Sequence, residues 1–181
     1  TRRGACRVRP WELELSRFDW SRLPASTRVL TAVRGLASDP HPEPFADFLE
    51  VWLDHEQPVD VLEALARTLV MMLPEARSPN DDQVLFALAC VVGTQSQYPG
   101  PFRITPEVTR VCRPLSWAFA NIVSALHRPT VRAQASAIDL LSFMSVVGLQ
   151  AEAAQQLEAA MGQLVAPCRE VAANTLAGLR G

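Results

Sequence analysis

The sequence predicts an all-helical protein, either a right-handed α-solenoid or a solenoid-like stack of about eight antiparallel helices. Apolar residues recur at three- and four-residue intervals through most of the chain, the spacing that lines up one side of a helix. Prolines followed by acidic or polar first turns mark helix starts roughly every twenty residues, so pairs of helices would repeat about every forty residues. A compact bundle of the same helices is the alternative arrangement.

The two most apolar segments lie in the middle of the chain, at residues 106–126 and 130–147. Both are apolar enough to be buried, so we expect the other helices to pack around them. Pro114 removes a backbone donor inside the first segment, which predicts a kink or a break there. The short connection at 127–129 predicts that the two segments contact each other, and Gly148 is a natural stop for the second.

Four helices are predicted before this central pair. The first covers residues 26–37 and ends where three prolines follow within five residues. The second begins at Phe45, and Pro58 opens the third, whose apolar stripe runs to Val70. The fourth has the clearest start, because Ser78 can cap it, a proline suits its first turn and two aspartates adjoin its positive end.

Two further helices are predicted after the central pair, near residues 150–164 and from Pro167 onward. Every predicted helix carries an apolar side, so each needs a neighbour to cover that side. We therefore expect a single helical-repeat domain over residues 24–181.

Residues 1–23 are expected to form an amino-terminal arm. Within it, residues 11–15 alternate between apolar and acidic side chains as in a strand, although Trp11 and Phe18 would also share one side of a helix. Phe18 and Trp20 are expected to anchor the arm on the domain. Four arginines make the tip of the arm basic: Arg2, Arg3, Arg7 and Arg9.

The composition is that of a globular protein, with 49% apolar residues, 20% charged residues and a formal net charge of −2. This charge creates no overall field that would attract nucleic acid, so nucleic-acid binding is not expected. No run of about eighteen uncharged apolar residues is present, so no membrane span is predicted. Four dispersed cysteines without zinc-like spacing favour a reducing compartment, the cytoplasm or the nucleus.

Local motifs for catalysis or for cofactor binding are absent from the sequence. It contains no glycine-rich phosphate loop, no paired-histidine zinc helix and no nucleophile elbow. Its three histidines, His41, His55 and His127, lie in or beside predicted turns. The sequence therefore predicts a protein that is not an enzyme and that takes no cofactor or metal ion.

Two short stretches resemble helical-repeat families. Residues 129–135, Pro-Thr-Val-Arg-Ala-Gln-Ala, resemble the helix opening common in HEAT repeats, and residues 117–122, Trp-Ala-Phe-Ala-Asn-Ile, resemble the third helix of armadillo repeats in importin-type nuclear transport adaptors. In those adaptors the Trp and the Asn line a concave groove that holds an extended peptide. The motif occurs once here, so the resemblance implies an armadillo-like architecture and a groove with Trp117 and Asn121, but not nuclear import.

The candidate site is the side of the 106–126 segment that carries Arg110, Arg113, Trp117 and Asn121. Helical spacing places these residues on a side different from the apolar stripe. Two interpretations are open: a neighbouring helix or the arm packs over Trp117, or this side chain lines an open groove. With two guanidinium groups beside it, such a groove would favour an acidic or aromatic-bearing extended segment and would repel basic cargo.

The expected function is protein–protein interaction, as a scaffold or adaptor domain that binds a peptide segment or a partner subunit through a helical-repeat groove. The alternative is a self-assembling structural protein whose arm, with Trp11, Phe18 and Trp20, docks onto a neighbouring copy. An oligomer is expected under this alternative.

Overall fold

The computed structural model describes residues 9–77, 79–94 and 103–181. Helices contain 77% of these residues, and no strand occurs among them, so the predicted all-helical class is confirmed. Within these ranges, none of the helices combines the length and the apolar character that crossing a membrane requires. The helices are α1 (Pro10–Arg17), α2 (Ser26–Ser38), α3 (Glu43–Leu53), α4 (Val59–Met72), α5 (Asn80–Gly93), α6 (Pro106–Cys112), α7 (Leu115–Ala125), α8 (Val131–Ser142), α9 (Gln150–Ala160) and α10 (Ala166–Arg180).

Pro114 breaks the first of the two central segments, because α6 ends at Cys112 and α7 begins at Leu115. Proline lacks the N–H that an α-helix needs, and its ring collides with the preceding turn. Of the two outcomes predicted for this proline, the structure contains the break. The break lies between Arg113 and Trp117, so the candidate site spans two helices.

The second central segment is also divided. α8 ends at Ser142, and a 3₁₀ turn at Met144–Val147 follows it. Phe143 separates the two with φ of −90° and ψ of 0°, which leaves α-helical geometry. Gly148 then adopts the left-handed conformation with φ of 76°, so the predicted stop at this glycine is confirmed.

Four of the helices form a row, in which α3, α5, α8 and α10 touch in succession. Separately, α4 contacts α1, α6 and α7. Consecutive helices are in contact at α2–α3, α4–α5, α7–α8 and α9–α10. The predicted contact between the two central segments is therefore present, as the α7–α8 contact.

The centre of the core is the pair α5 and α8, rather than the two central segments alone. α5 packs against α2, α3, α4 and α8, and α8 packs against α5, α7, α9 and α10. Pro114 divides the first central segment into α6 and α7, and α7 contacts α8. The buried apolar residues of the pair α5 and α8 are Val84, Leu85, Ala87, Leu88, Val91, Val92, Ala133, Ala137, Ile138, Leu140 and Leu141.

Residues 10–22, within the amino-terminal arm, form α1 and a 3₁₀ turn. Of the strand and the helix that the sequence allowed for residues 11–15, the structure therefore contains the helix. Trp11 and Trp20 are buried, and α1 packs against α4. The indole nitrogen of Trp20 donates a hydrogen bond of 2.6 Å to the carbonyl oxygen of Leu15. From α1 onward the arm is thus part of the packed core, whereas Arg2, Arg3 and Arg7 lie outside the described residues.

A buried carboxylate joins α5 to the loop before α8. Asp82 in the first turn of α5 is 8% exposed. Its two oxygens accept hydrogen bonds from the guanidinium of Arg128 (2.6 Å) and from the hydroxyl of Thr130 (2.8 Å). Arg128 also pairs with Asp81 at 2.9 Å. The first turn of α5 and the first turn of α8 are therefore held side by side by charge-assisted hydrogen bonds.

A buried amide joins α8 to its other neighbours. Gln134 is 1% exposed, and its side-chain nitrogen donates to the carbonyl oxygens of Leu126 (3.1 Å) and Arg128 (2.8 Å). Its side-chain oxygen accepts a hydrogen bond of 2.8 Å from the amide of Val165, just before α10. One side chain thus fixes the end of α7, the start of α8 and the start of α10.

Replacing Leu141 with alanine is expected to lower the free energy of unfolding by about 2–5 kcal/mol, because this fully buried side chain would leave a cavity in α8. Urea unfolding followed by circular dichroism measures the change. Val171→Ala on α10 is the matched control, because Val171 is 45% exposed and its loss should change the free energy by less than about 0.5 kcal/mol. Equal effects of the two substitutions would show that α8 is peripheral.

Candidate functional site

Trp117 is an exposed aromatic residue on α7, with 57% of its surface accessible to solvent. The apolar stripe of the same helix, which includes Leu115 and Ile122, is buried. From α4, the guanidinium carbon of Arg67 lies 5.9 Å from the centre of the indole ring, within the range of a cation–π contact. Among the described residues, Trp117 is therefore open to solvent, as the groove interpretation requires.

The other three predicted residues differ in their environment. Arg110 on α6 donates hydrogen bonds from Nε (2.9 Å) and Nη2 (2.6 Å) to one carboxylate oxygen of Glu63 on α4. Arg113, in the break between α6 and α7, is exposed and forms no ion pair with any described residue. Asn121 is half-buried, one turn beyond Trp117. We refer to these four residues, with Glu63 and Arg67, as the Trp117 surface.

A depression of about 350 Å³ between α1 and α4 adjoins the Trp117 surface, with which it shares Glu63 and Arg67. One oxygen of Glu14 accepts hydrogen bonds from Arg17 (2.5 Å) and Arg67 (3.3 Å), which ties α1 to the edge of this surface. The Nε atom of Arg67 is buried without a hydrogen-bond partner. The residues that line the depression are Glu14, Arg17, Phe18, Asp60, Glu63, Ala64 and Arg67.

The charges around Trp117 cancel only in part. Glu63 neutralises Arg110, but the single charge of Glu14 is shared by Arg17 and Arg67, and Arg113 forms no ion pair with a described residue. The sequence pattern pointed to Arg110 and Arg113 but not to Glu63, because the partner carboxylate lies 47 residues away on another helix. The Trp117 surface therefore keeps a net positive charge, and the repulsion of basic cargo stays a prediction.

A second depression, of about 390 Å³, lies between α3, α5 and α8, and Cys90 is part of its lining. Burial, followed by the negative charge of Glu50, raises the pKa of the Cys90 thiol to about 12. The thiol is protonated at neutral pH, so it is a poor nucleophile. Asp139 lies at the rim of this depression. Partial burial of its carboxyl group raises the pKa above the ordinary value.

The other cysteines and histidines that the structure describes form no cluster that could bind a metal ion. Across the described ranges, no group of three or more His, Cys, Asp and Glu side chains is arranged to hold a metal ion. Cys112 is a buried free thiol, and burial raises its pKa to about 12. The Nδ1 atom of His127 lies 2.7 Å from the side-chain oxygen of Gln163, a contact that joins the α7–α8 loop to the loop before α10. Cys6 lies outside the described residues.

No protein-family model, curated protein or solved structure matches this chain. The armadillo and HEAT resemblance therefore stays a prediction. The function has to be inferred from the chain's own residues, above all from the exposed Trp117.

Replacing Trp117 with phenylalanine is expected to remove the largest single share of the fluorescence that acrylamide quenches. Trp11 and Trp20 are buried and Trp52 is half-buried, so Trp117 is the tryptophan that the quencher reaches most easily. Trp52→Phe serves as the matched control and should reduce quenching less. Unchanged quenching in Trp117→Phe would mean that this side chain is covered in solution.

Proposed function

We propose that this chain is a non-enzymatic helical-repeat domain of the armadillo or HEAT type, which binds a peptide segment or a partner subunit at the Trp117 surface. The single observation that carries the proposal is the 57% exposure of Trp117 beside the guanidinium of Arg67. Tryptophan and arginine are the residue types that most often dominate binding energy at protein interfaces.

The contact pattern supports the repeat architecture. In a helical-repeat stack each helix pair contacts its neighbouring pairs, and equivalent helices of successive pairs lie side by side. The second helices of the pairs α2–α3, α4–α5, α7–α8 and α9–α10 touch in succession, and among their first helices α4 contacts α7. The joint at Asp82 also places the start of α5 beside the start of α8, as expected for equivalent helices of successive repeats.

The chemistry of the Trp117 surface favours a partner segment with an acidic residue and an aromatic side chain. The aromatic side chain would stack on Trp117, and the carboxylate would pair with the free guanidinium of Arg113. Because Glu63 and Glu14 offset only part of the arginine charge, the binding should weaken as the salt concentration rises. An interior without paired cysteines at Cys112 and Cys168 suits a reducing compartment, and we propose the cytoplasm or the nucleus.

The burial of Trp11 and Trp20 favours this function over self-assembly through the arm. Both side chains pack into the core of their own chain, with 3% and 6% exposure, so they are not accessible to a neighbouring copy. Phe18 is half-buried and lies 4.8 Å from the ring of Trp20. Size-exclusion chromatography with light scattering should therefore give a monomer, whereas a large closed or helical assembly would support the alternative.

Trp117→Ala is expected to weaken peptide binding at least about tenfold, because a central aromatic of an interface usually contributes about 2 kcal/mol or more. The probe is the best binder selected from a displayed library of random peptides, made with a fluorescent label and measured by anisotropy. Asn121→Ala and Arg113→Glu should also weaken binding, since they adjoin Trp117 on the same surface. Melting temperatures of the three variants should stay within about two degrees of the wild type, because these side chains are exposed or half-buried.

Val171→Ala is the control for this experiment, because it removes an exposed apolar side chain from α10 and leaves the Trp117 surface intact. It should bind the peptide as the wild type does. A large fall in melting temperature for Trp117→Ala would show that the side chain is part of the core. Binding that none of the three variants weakens would place the interaction elsewhere.

A further inference from the structure

The pair α2 and α3 carries a groove of about 280 Å³ that is separate from the Trp117 surface. Its walls come from Thr31 and Ala32 on α2 and from Phe45 and Phe48 on α3. Both phenylalanine rings are half-buried, with one part packed on the core and the other part open to the groove. Most of the groove is therefore apolar, and its polar groups lie along the α2 side.

Gly35 on α2 lets the ring of Phe45, which lines this groove, pack closely against the helix. A Cβ atom on Gly35 would lie 2.4 Å from the ring of Phe45, closer than any real carbon contact. Because glycine has no side chain, the Phe45 ring rests directly against the α2 backbone. The two helices therefore pack closely at this point.

One charged side chain lines the groove, and it is positive. Arg28 is exposed, and its guanidinium carbon lies 5.0 Å from the centre of the Phe48 ring, which holds the group over the aromatic face. No described carboxylate lies within ion-pair distance of Arg28. Arg34, about one helical turn after Thr31, is also exposed. No described carboxylate lies within ion-pair distance of it either. The α2 wall thus presents positive charge that nothing described neutralises.

The apolar surface continues along α3. Val51 follows Phe48 by three residues, which places the two on the same side of the helix, and 63% of its surface is exposed. A single bound side chain would not cover both positions. The surface has room for two apolar side chains of a partner, with the guanidinium of Arg28 at its edge.

We propose that this α2–α3 groove binds a protein segment in which a carboxylate stands next to aliphatic or aromatic residues. The carboxylate pairs with Arg28, and the apolar side chains cover Phe45, Phe48 and Val51. A carboxylate is favoured because Arg28 supplies planar donors with a fixed orientation and has no competing partner. Residues 1–8 of this chain contain three arginines and no carboxylate, so they do not supply such a segment. This second surface is independent of the function proposed for Trp117.

The test is a nuclear magnetic resonance titration of the whole ¹⁵N-labelled chain with the blocked tripeptide acetyl-Leu-Asp-Leu-amide. We expect saturable shifts of the amide signals of Thr31, Phe45 and Phe48 at millimolar peptide. The isosteric peptide acetyl-Leu-Asn-Leu-amide should bind about two- to fivefold more weakly, because it loses an exposed ion pair with Arg28. Arg28→Gln should remove the difference between the two peptides, whereas Arg77→Gln, at an exposed arginine outside the groove, should preserve it.

Four outcomes would overturn the proposal. The first is an absence of saturable shifts at the groove residues, and the second is equal affinity for the aspartate and asparagine peptides. The third is broadening of the same signals with protein concentration alone, which would assign the groove to a second copy of the chain. The fourth is nuclear Overhauser contacts between residues 1–8 and the groove. Trp117→Ala should leave the titration unchanged, so failure here is distinguishable from failure at the Trp117 surface.

Discussion

The burial of Asp82 is the constraint on which the arrangement of the helices depends. A carboxylate that is 8% exposed must be paired, because an unpaired charge in that position would be far too unfavourable. Arg128 and Thr130 supply the partners, and they can do so only when the α7–α8 loop lies over the first turn of α5. That position fixes α8 beside α5, and the apolar residues of the two helices then meet along their length. Gln134 extends the same joint to α10.

The candidate site follows from this arrangement together with one proline. Because α8 is fixed on α5, α7 is held on α8 and against α4, and its buried residues decide which side turns outward. Trp117 is on the outward side, and the break at Pro114 separates it from Arg110. α4 bridges the break, since Glu63 binds Arg110 and Arg67 approaches the Trp117 ring. The exposure of the tryptophan is thus a consequence of packing in which Leu115, Ala118, Ile122 and Ala125 of α7 are needed for the core.

The sequence predicted what depends on local chemistry. Apolar periodicity identified the helices, Pro114 marked the break, and Gly148 marked the stop, because each of these effects acts within a few residues. Residues 11–15 could not be assigned, since their alternation fits a strand until the packing of α1 on α4 selects the helix. Trp117 was found from a motif, but its exposure depends on which helices lie nearby.

The charge balance of the site could not be predicted from the sequence, for a similar reason. Glu63 and Arg110 are 47 residues apart, and nothing local indicates that they meet. The pairing of Asp82 with Arg128 likewise joins residues 46 apart, although each stands at a helix start that the sequence marks clearly. The tertiary packing determines which distant residues meet. The sequence alone therefore identifies candidate site residues but not the residues with which they pair.

A double-mutant cycle between Asp82 and Arg128 tests most directly whether this joint holds the stack together. The free energy of unfolding would be measured for the wild type, Asp82→Ala, Arg128→Ala and the double variant by urea denaturation. Both side chains are mostly buried, so we expect a coupling of about 1.5–3 kcal/mol, the usual contribution of a hydrogen bond to a charged group. A coupling below about 0.5 kcal/mol, the range of exposed ion pairs, would contradict the central role of this contact.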